Sequence, residues 1–490
     1  MSNADKAGSH PDALRPIDVG SLALPEGEMR RLGYQVVDMI VEHFAGMRDK
    51  PVTRTLAGDQ VAALIDADFP EQPTPLGHLL GELEETVFRY TGLTTHPRFF
   101  AFVPSPSNYI SALGDALAAG YNAFLGNRLE AAGPSRIEDI TVDWLRRLCG
   151  LPEAAGGLLV SGGSVANLTA LAVARQVKLP IASAPARRLA VAFCSDQTHS
   201  CIERALRLMG FTRDQLVRIP SEGCRLPVGE LRRRLAAERE AGRQPFCVIA
   251  NAGTTNTGAV DPLPELAELC RDEGLWLHVD GAYGAAAMLC DEARPLLRGL
   301  EQADSLAIDP HKWLFQPYEI GCVLVRDARR LHETFRTTAE YLSVVQRAAE
   351  VNYQDCGIQL TRSFRALKLW LSLRYFGVAA FRTAVQRGIH LAELAERVIR
   401  GTPGLEVVSP AQLAIVAFRH ALPAQAPEEA DALNEAVVTR LLTEGFATVT
   451  STSLGGRRVL RLCTINPRTT EDDIRQTVDR IVGAAAGAPT

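Results

Sequence analysis

The sequence predicts an α/β protein: a mostly parallel central sheet flanked by helices, with an N-terminal helical segment and a small C-terminal α+β domain. Three observations predict it. Between Gly157 and Val325, short apolar runs ("GLLV", "RLAVAFC", "FCVIA", "LWLHV", "SLAI", "GCVLV") alternate with helical stretches, as strands and crossover helices do in a parallel sheet. Upstream of that block, apolar residues recur at helical spacing without strand alternation. Downstream, from near Gly377, strands and helices succeed one another in a different order.

Taken in order, residues up to about Glu28 are rich in Pro, Gly and charge and read as an extended arm. From Met29, Leu32, Val36, Ile40 and Phe44 mark one face of an amphipathic helix. Pro51 to Pro106 is punctuated by prolines and reads as a helical lead-in. After "FRALKLWLSLRYFG", "LEVVS" and "LAIVAFRH" read as strands and Pro427 to Glu444 as a helix. Its proline falls in the first turn, where a missing N–H costs nothing. "FATVTSTSLGGRRVLRLCTI" reads as a hairpin about Gly455-Gly456. Thr470 and Asp473 are spaced as the capping box of a last helix running to Val482. With 490 residues and a prior of about 150 per domain, the expected division is 1–106 (N-terminal arm and helical segment), 107–376 (large α/β domain) and 377–490 (small α+β domain).

Composition narrows the class of partner. The chain is 47% hydrophobic and 22% charged with a net charge of −5, which gives no reason to expect nucleic acid or an anionic membrane surface. Ten scattered cysteines form no C-x-x-C pair and read as small buried residues of a reducing compartment. The longest uncharged stretch, Ala154 to Ala174, is interrupted by "SGGS" and Asn167, as a strand–turn–helix is and a membrane span is not. A soluble, cytoplasmic protein is expected.

Ligands of open parallel sheets bind beyond the carboxyl ends of the strands, so the residues just after each strand matter most. "SGGS" (Ser161 to Ser164) comes after the first strand and leads into a helix; "SDQTHS" with His199 comes after the second. "NAGTTNTG" with Thr254 and Thr255 succeeds "FCVIA". Asp280 ends "LWLHV", and Asp309, His311 and Lys312 lie just beyond "SLAI". Each signal alone is weak: a small-residue loop before a helix suits a phosphate but also serves close packing, and a lone histidine is more often a core residue. "HVD" at 278–280 resembles a metal ligand pair but lacks a third ligand at suitable spacing, so no metal is expected. Together, a phosphate cradle, a flat imidazole, a carboxylate and a lysine on one sheet edge match the needs of pyridoxal 5′-phosphate. Lys312, set among Trp, Leu and Phe, is expected to be desolvated there, which favours its neutral amine.

"HPRFFAFVP", "SDQTHSCIERA", "LHVDGAYG" and "DPHKWL" resemble the group II pyridoxal-phosphate amino-acid decarboxylases, above all the aromatic-L-amino-acid (DOPA, tyrosine and tryptophan) decarboxylases. The likeness runs from about Leu24 to the last helix, with the motifs in the family's order. It implies a fold-type I architecture and a homodimer with its active sites at the interface, in which residues 1–106 form the arm and helical dimerisation segment. It also implies that Lys312 is the cofactor's attachment point and that Asp280 pairs with the ring nitrogen. His199 and Ala282 would cover the two ring faces, with Thr255 beside the ring. Gly163, Ser164, Asp309 and His311 would hold the phosphate, although many members carry Asn where Asp309 stands. Ser105 matches a small residue near the substrate carboxylate; Phe102 and Tyr318 fall near the substrate pocket. Tyr353, counted back from "FRALKLW", matches a mobile-loop tyrosine that protonates the substrate carbon. The implied reaction is decarboxylation of an L-amino acid, aromatic by the Phe-rich pocket segments, to the amine and CO2. A non-aromatic substrate and an oxygen-dependent aldehyde synthase are the alternatives, the latter associated with loss of that tyrosine and of the His199 histidine. Arg461 in "VLRLCTIN" reads as structural, since a firm carboxylate clamp disfavours decarboxylation.

Overall fold

The computed structural model describes residues 22–66, 68–179, 188–337, 351–421 and 426–487. The chain divides into two compact units, Met1–Leu93 and Thr94–Thr490.

The first unit is helical. The amphipathic pattern forms the helix Glu26–Ala45, whose first turn carries Glu26 and Glu28 and whose last carries His43, as the helix dipole favours. Short helices Gly58–Leu64 and Leu76–Glu82 come next. No residue of the first helix is buried, and Met29, Tyr34, Val37 and Val41 all remain exposed.

The second unit holds two sheets. The larger comprises β1 (Gly156–Val160), β2 (Ala190–Ser195), β3 (Leu216–Ile219), β4 (Gln244–Asn251), β5 (Trp276–Asp280), β6 (Ser305–Ile308) and β7 (Gly321–Val325), in the order β1-β7-β6-β5-β4-β2-β3. Only β7 runs against the rest: it pairs antiparallel with both β1 and β6, while the remaining pairs are parallel. All six residues of β2 and all five of β5 are buried, as expected for strands covered on both faces. Successive residues serve opposite faces: Val191 and Phe193 join one core with Val248, Leu277 and Leu306, while Ala190, Ala192 and Cys194 join the other with Ile249 and Val323.

The smaller sheet comprises β8 (Leu405–Gln412), β9 (Ile415–His420), β10 (Thr450–Leu454) and β11 (Arg457–Cys463), antiparallel in the order β10-β11-β9-β8. The hairpin turns at Gly455 and Gly456, both at positive φ (56° and 77°), the geometry two-residue hairpins require. Helices Pro427–Glu444 and Glu471–Ala486 cover it, burying Val437, Leu441, Ile474 and Val478 against Val416, Phe418 and Leu460. Thr470 caps the last helix as expected: its hydroxyl accepts from the Asp473 N–H, and Asp473 accepts in return from the Thr470 N–H at 2.8 Å. The sequence reading ends a helix near Gly377; the structure instead continues it to Arg400. Gly377 (φ 75°, ψ 151°) kinks the span Ala366–Arg400, a conformation open to glycine at little cost.

Candidate active site

The parallel register places the carboxyl ends of β1, β2, β4, β5 and β6 at one edge, where they surround a cavity of about 340 Å³. β4 and β5 pair so that Asn251 lies opposite Asp280, and β5 and β6 so that Asp280 lies opposite Ala307. Each strand-end polar group therefore reaches the same space.

The cradle forms where β1 turns into the helix Gly163–Lys178. The first N–H groups of that helix have no intrahelical acceptor and face its positive end, a site for an anion. The turn must be glycine. A Cβ on Gly163 would lie 2.8 Å from Asp309 Oδ2 and 3.1 Å from the Ala282 Cβ, and one on Gly321 would lie 2.5 Å from the Gly162 Cα. Ser164 comes next on the cavity wall.

Asp280 closes β5. Its Oδ2 accepts from Asn167 Nδ2 at 3.0 Å and its Oδ1 from the Ala282 N–H at 3.2 Å. Behind it, Asn167 Oδ1 lies 2.8 Å from His278 Nε2, His278 Nδ1 lies 2.9 Å from Ser305 Oγ, and the Trp276 indole donates to that same Oγ at 2.8 Å. Both ring nitrogens of His278 are thus engaged, which accounts for the "HVD" triplet. Asn167 carries a role the sequence reading missed; its signal was a polar side chain one turn into the helix after the cradle.

Lys312 stands four residues beyond β6, in a turn where its N–H donates to the Asp309 carbonyl at 3.0 Å. Its Nζ lies 2.9 Å from Asp309 Oδ2. Here the structure corrects the expectation of a neutral amine. Burial acts to lower the lysine's proton affinity, but Asp309 and then Asp280 outweigh it, so the net shift is upward and the free side chain is an ammonium. His311 donates from Nδ1 to the Ile320 carbonyl at 2.7 Å, and burial pushes its proton affinity down. His199 opens onto the cavity. Burial outweighs the attraction of Asp280 and lowers its proton affinity, and the Cys201 N–H donates to its Nδ1 at 3.3 Å, leaving the remaining proton on Nε2. Thr255 and Ala282 complete the wall. Arg461 is buried and donates to the carbonyls of Phe102 and Thr255, both at 2.6 Å. It ties the small sheet to the cavity loop and offers no free fork to a carboxylate.

Gly163, Ser164, His199, Thr255, Asp280, Ala282, Asp309, His311 and Lys312 therefore share one cavity; four other expected site residues do not line it. Ser105 is buried with its hydroxyl donated to the Gln316 carbonyl at 2.9 Å. Phe102, at positive φ (53°), is 63% exposed. Tyr318 is 57% exposed and leans on His311 with ring centroids 5.1 Å apart, lining a neighbouring cavity that shares Glu319 with the first. Tyr353 departs most from expectation. It lies in the short turn Tyr353–Asp355, buried, with its hydroxyl donated to Asp139 at 2.7 Å and its ring under the Arg362 guanidinium. Burial, then Glu138 and Asp139, raises its proton affinity, so this phenol is a packed hydrogen-bond donor outside the cavity.

The residues present fit pyridoxal phosphate on structural grounds. The cradle excludes any side chain, and the Asp280 carboxylate and the Lys312 amine line the same cavity. One feature runs against the phosphate: Asp309 adds a carboxylate beside the cradle, and its buried Oδ1 has no hydrogen-bond partner among the described residues.

Such a cavity on such a sheet defines the class of enzymes that act on amino groups through a lysine-bound pyridoxal cofactor. The model of the pyridoxal-dependent decarboxylase conserved domain matches residues 59–421. The chain is 46% identical to an aromatic-L-amino-acid decarboxylase of Bacillus atrophaeus over 95% of its length and 97% of the relative's. It is 30% identical to a phenylacetaldehyde synthase of Arabidopsis thaliana over 94% and 95% of the two chains. Its structure resembles the crystal structure of Oryza sativa TDC with PLP and tryptamine at a TM-score of 0.89, with 29% identity over 97% of this chain and 99% of that one. The chain belongs to the pyridoxal-dependent decarboxylase family.

Proposed function

We propose that this protein removes the carboxyl group of an aromatic L-amino acid, producing the amine and CO2, with pyridoxal 5′-phosphate as cofactor. The observation that carries the reading is the meeting of Lys312, Asp280, His199 and the Gly163 cradle in one cavity of a chain from this family. When bound, the cofactor supplies an electron sink for the bond that breaks.

The chain's own residues do the rest. Gly163 and Ser164 would offer N–H groups at a helix N-terminus to the phosphate, with His311 and Asp309 bordering it. Asp280, held by Asn167 and the Ala282 N–H, would pair with the ring nitrogen. His199, neutral, would cover one ring face and add no positive charge to the substrate's side; Ala282 would pack on the other, with Thr255 at the rim. Lys312 would hold the cofactor covalently through its Nζ. Its proton must first pass to another group, because the free side chain is an ammonium paired with Asp309. Phe102 and Tyr318, exposed in the single chain, cover the substrate ring where a second subunit closes the site. The proposed assembly is a homodimer, and the proposed compartment the cytoplasm. Among the described residues no helix is long and apolar enough to cross a membrane.

Product analysis by mass spectrometry, in air and with added cofactor, tests this reading. L-DOPA, tyrosine, tryptophan and phenylalanine are expected to give amine and CO2, while glutamate and histidine are not. Aldehyde with ammonia and hydrogen peroxide is the second reading, kept because a phenylacetaldehyde synthase stands among the relatives. The residue that protonates the carbon is tested in the same assay. Tyr353→Phe is expected to leave the product unchanged, since that hydroxyl serves Asp139. Tyr341, the other tyrosine between β7 and the helix at Ala366, lies outside the described residues. Tyr341→Phe is the variant in which a shift toward aldehyde is expected.

A further inference from the structure

The side chains behind Asp280 form a buried chain with a single self-consistent direction. An indole N–H can only donate, so Ser305 Oγ accepts from Trp276. A carboxylate only accepts, so the Asn167 atom facing Asp280 is its amide nitrogen, and its Oδ1 faces His278. His278 must then donate from Nε2 to Asn167 and accept at Nδ1 from the Ser305 hydroxyl. Every donor has one acceptor, and the chain runs Trp276, Ser305, His278, Asn167, Asp280. The second hydrogen of the Asn167 amide points to Cys201 Sγ at 3.3 Å. Asn167 and His278 are wholly buried and Ser305 is 1% exposed, so no water substitutes for a missing partner. Burial lowers the His278 pKa to about 4, which agrees with the neutral tautomer the chain requires.

The placement comes from the fold. Trp276, His278 and Asp280 alternate along β5 onto one face, Ser305 lies opposite His278 in the β5–β6 register, and Asn167 lies four residues after Gly163 on the helix that forms the cradle. One helix thus supplies both the cradle and the clamp on the Asp280 carboxylate.

We propose that Asn167, held by the relay from His278 and Ser305, is a positioning residue that locks the Asp280 carboxylate in the orientation needed to meet the ring nitrogen of the cofactor. With Asn167 on one oxygen and the Ala282 N–H on the other, the carboxylate plane has no free rotation. This inference rests on the pyridoxal-phosphate reading and deepens it.

The test compares equilibrium binding of two compounds to the apoenzyme by fluorescence titration. They are pyridoxal 5′-phosphate and its analogue with carbon in place of the ring nitrogen. Asn167→Leu and His278→Phe are expected to weaken the parent cofactor about 10- to 100-fold, the range for losing a charge-assisted hydrogen bond, and to leave the analogue within about threefold of the unaltered protein. His278→Gln keeps an amide donor toward Asn167 and is expected to restore the parent's affinity. Should a bulky variant fail to fold, Asn167→Ala and Ser305→Ala only shorten side chains and carry the same comparison. Equal losses for the two compounds would make the chain ordinary core packing and overturn the proposal, as would no loss for either. Failure of the unaltered protein to bind pyridoxal phosphate is a different result, and it sinks the cofactor reading itself.

Discussion

Asp309 Oδ2 stands 2.9 Å from Lys312 Nζ and would be 2.8 Å from a Cβ on Gly163, so one carboxylate serves the amine and crowds the cradle. Asp309→Asn removes the main group that holds the proton on Lys312 and a negative charge beside the phosphate. Cofactor attachment, tracked by its absorbance, is expected to reach half-completion at lower pH, and cofactor affinity to rise on the order of tenfold. His278 makes a prediction of the opposite sense on the acid side. Its folded pKa of about 4 lies below the ordinary histidine value of 6.5, so the unfolded chain takes up the proton first. The stability of the neutral form is complete above pH 6.5 and declines as pH falls toward 4, by about 3 kcal/mol in all. Denaturant midpoints of the apoprotein across that window are expected to show the decline, and His278→Gln to flatten it. At Tyr353 the phenol supplies one hydrogen bond to Asp139, which Arg128 also holds at 2.9 Å. Tyr353→Phe is therefore expected to cost about 1 kcal/mol of stability.

At the scale of elements, the strand that leads into the cradle is held from its open side by an ion pair. β1 is an edge strand, bonded on one side only to β7. On the other side, Glu138 accepts from the Leu159 N–H at 2.9 Å and Arg362 donates to the Leu159 carbonyl at 2.8 Å. The two side chains also bond each other, and neither is more than 1% exposed. Side chains thus replace the missing neighbour strand two residues before the cradle begins. Arg362→Met leaves Glu138 buried and unpaired, and a loss of about 3–5 kcal/mol in unfolding free energy is expected. The double variant Arg362→Met with Glu138→Gln is expected to recover part of it, because no uncompensated charge remains. Gly157 sits in the same strand, where a Cβ would fall 1.8 Å from the Val323 carbonyl oxygen. Any side chain there must part β1 from β7, and Gly157→Ala is expected to abolish soluble expression.

At the scale of the whole molecule, the helix Glu26–Ala45 buries none of its residues, yet it presents Met29, Tyr34, Val37 and Val41 to solvent. A helix with an apolar face and no core of its own needs a surface to cover. A second copy of the chain is the proposed surface, and sedimentation is expected to give about twice the 53.1 kDa chain mass. Sedimentation as a single chain at micromolar concentration would count heavily against the proposed dimer.

Much of this was legible in the residues because it rests on local rules. Short apolar strand runs, a proline at the start of a helix and a capping box depend on neighbours a few residues away, and each appears where its pattern lies. The polar residues that share the cavity were legible for a related reason: parallel strands bring their carboxyl ends to one edge, so polar residues after successive strands must meet. The helix beyond Gly377 was not legible as such, since a single glycine reads as an end and only packing shows that the chain resumes.

By itself, the sequence placed most of the elements and set Gly163, His199, Asp280 and Lys312 at the ends of successive strands, because strand order decides which edge such residues share. Tertiary structure alone decided which polar atoms became partners. Asn167 meets His278 across 111 positions of chain, and Tyr353 meets Asp139 across 214. Such pairs depend on sheet register and on which helix face turns inward. Only the packed molecule sets those, and there each buried donor must find its acceptor.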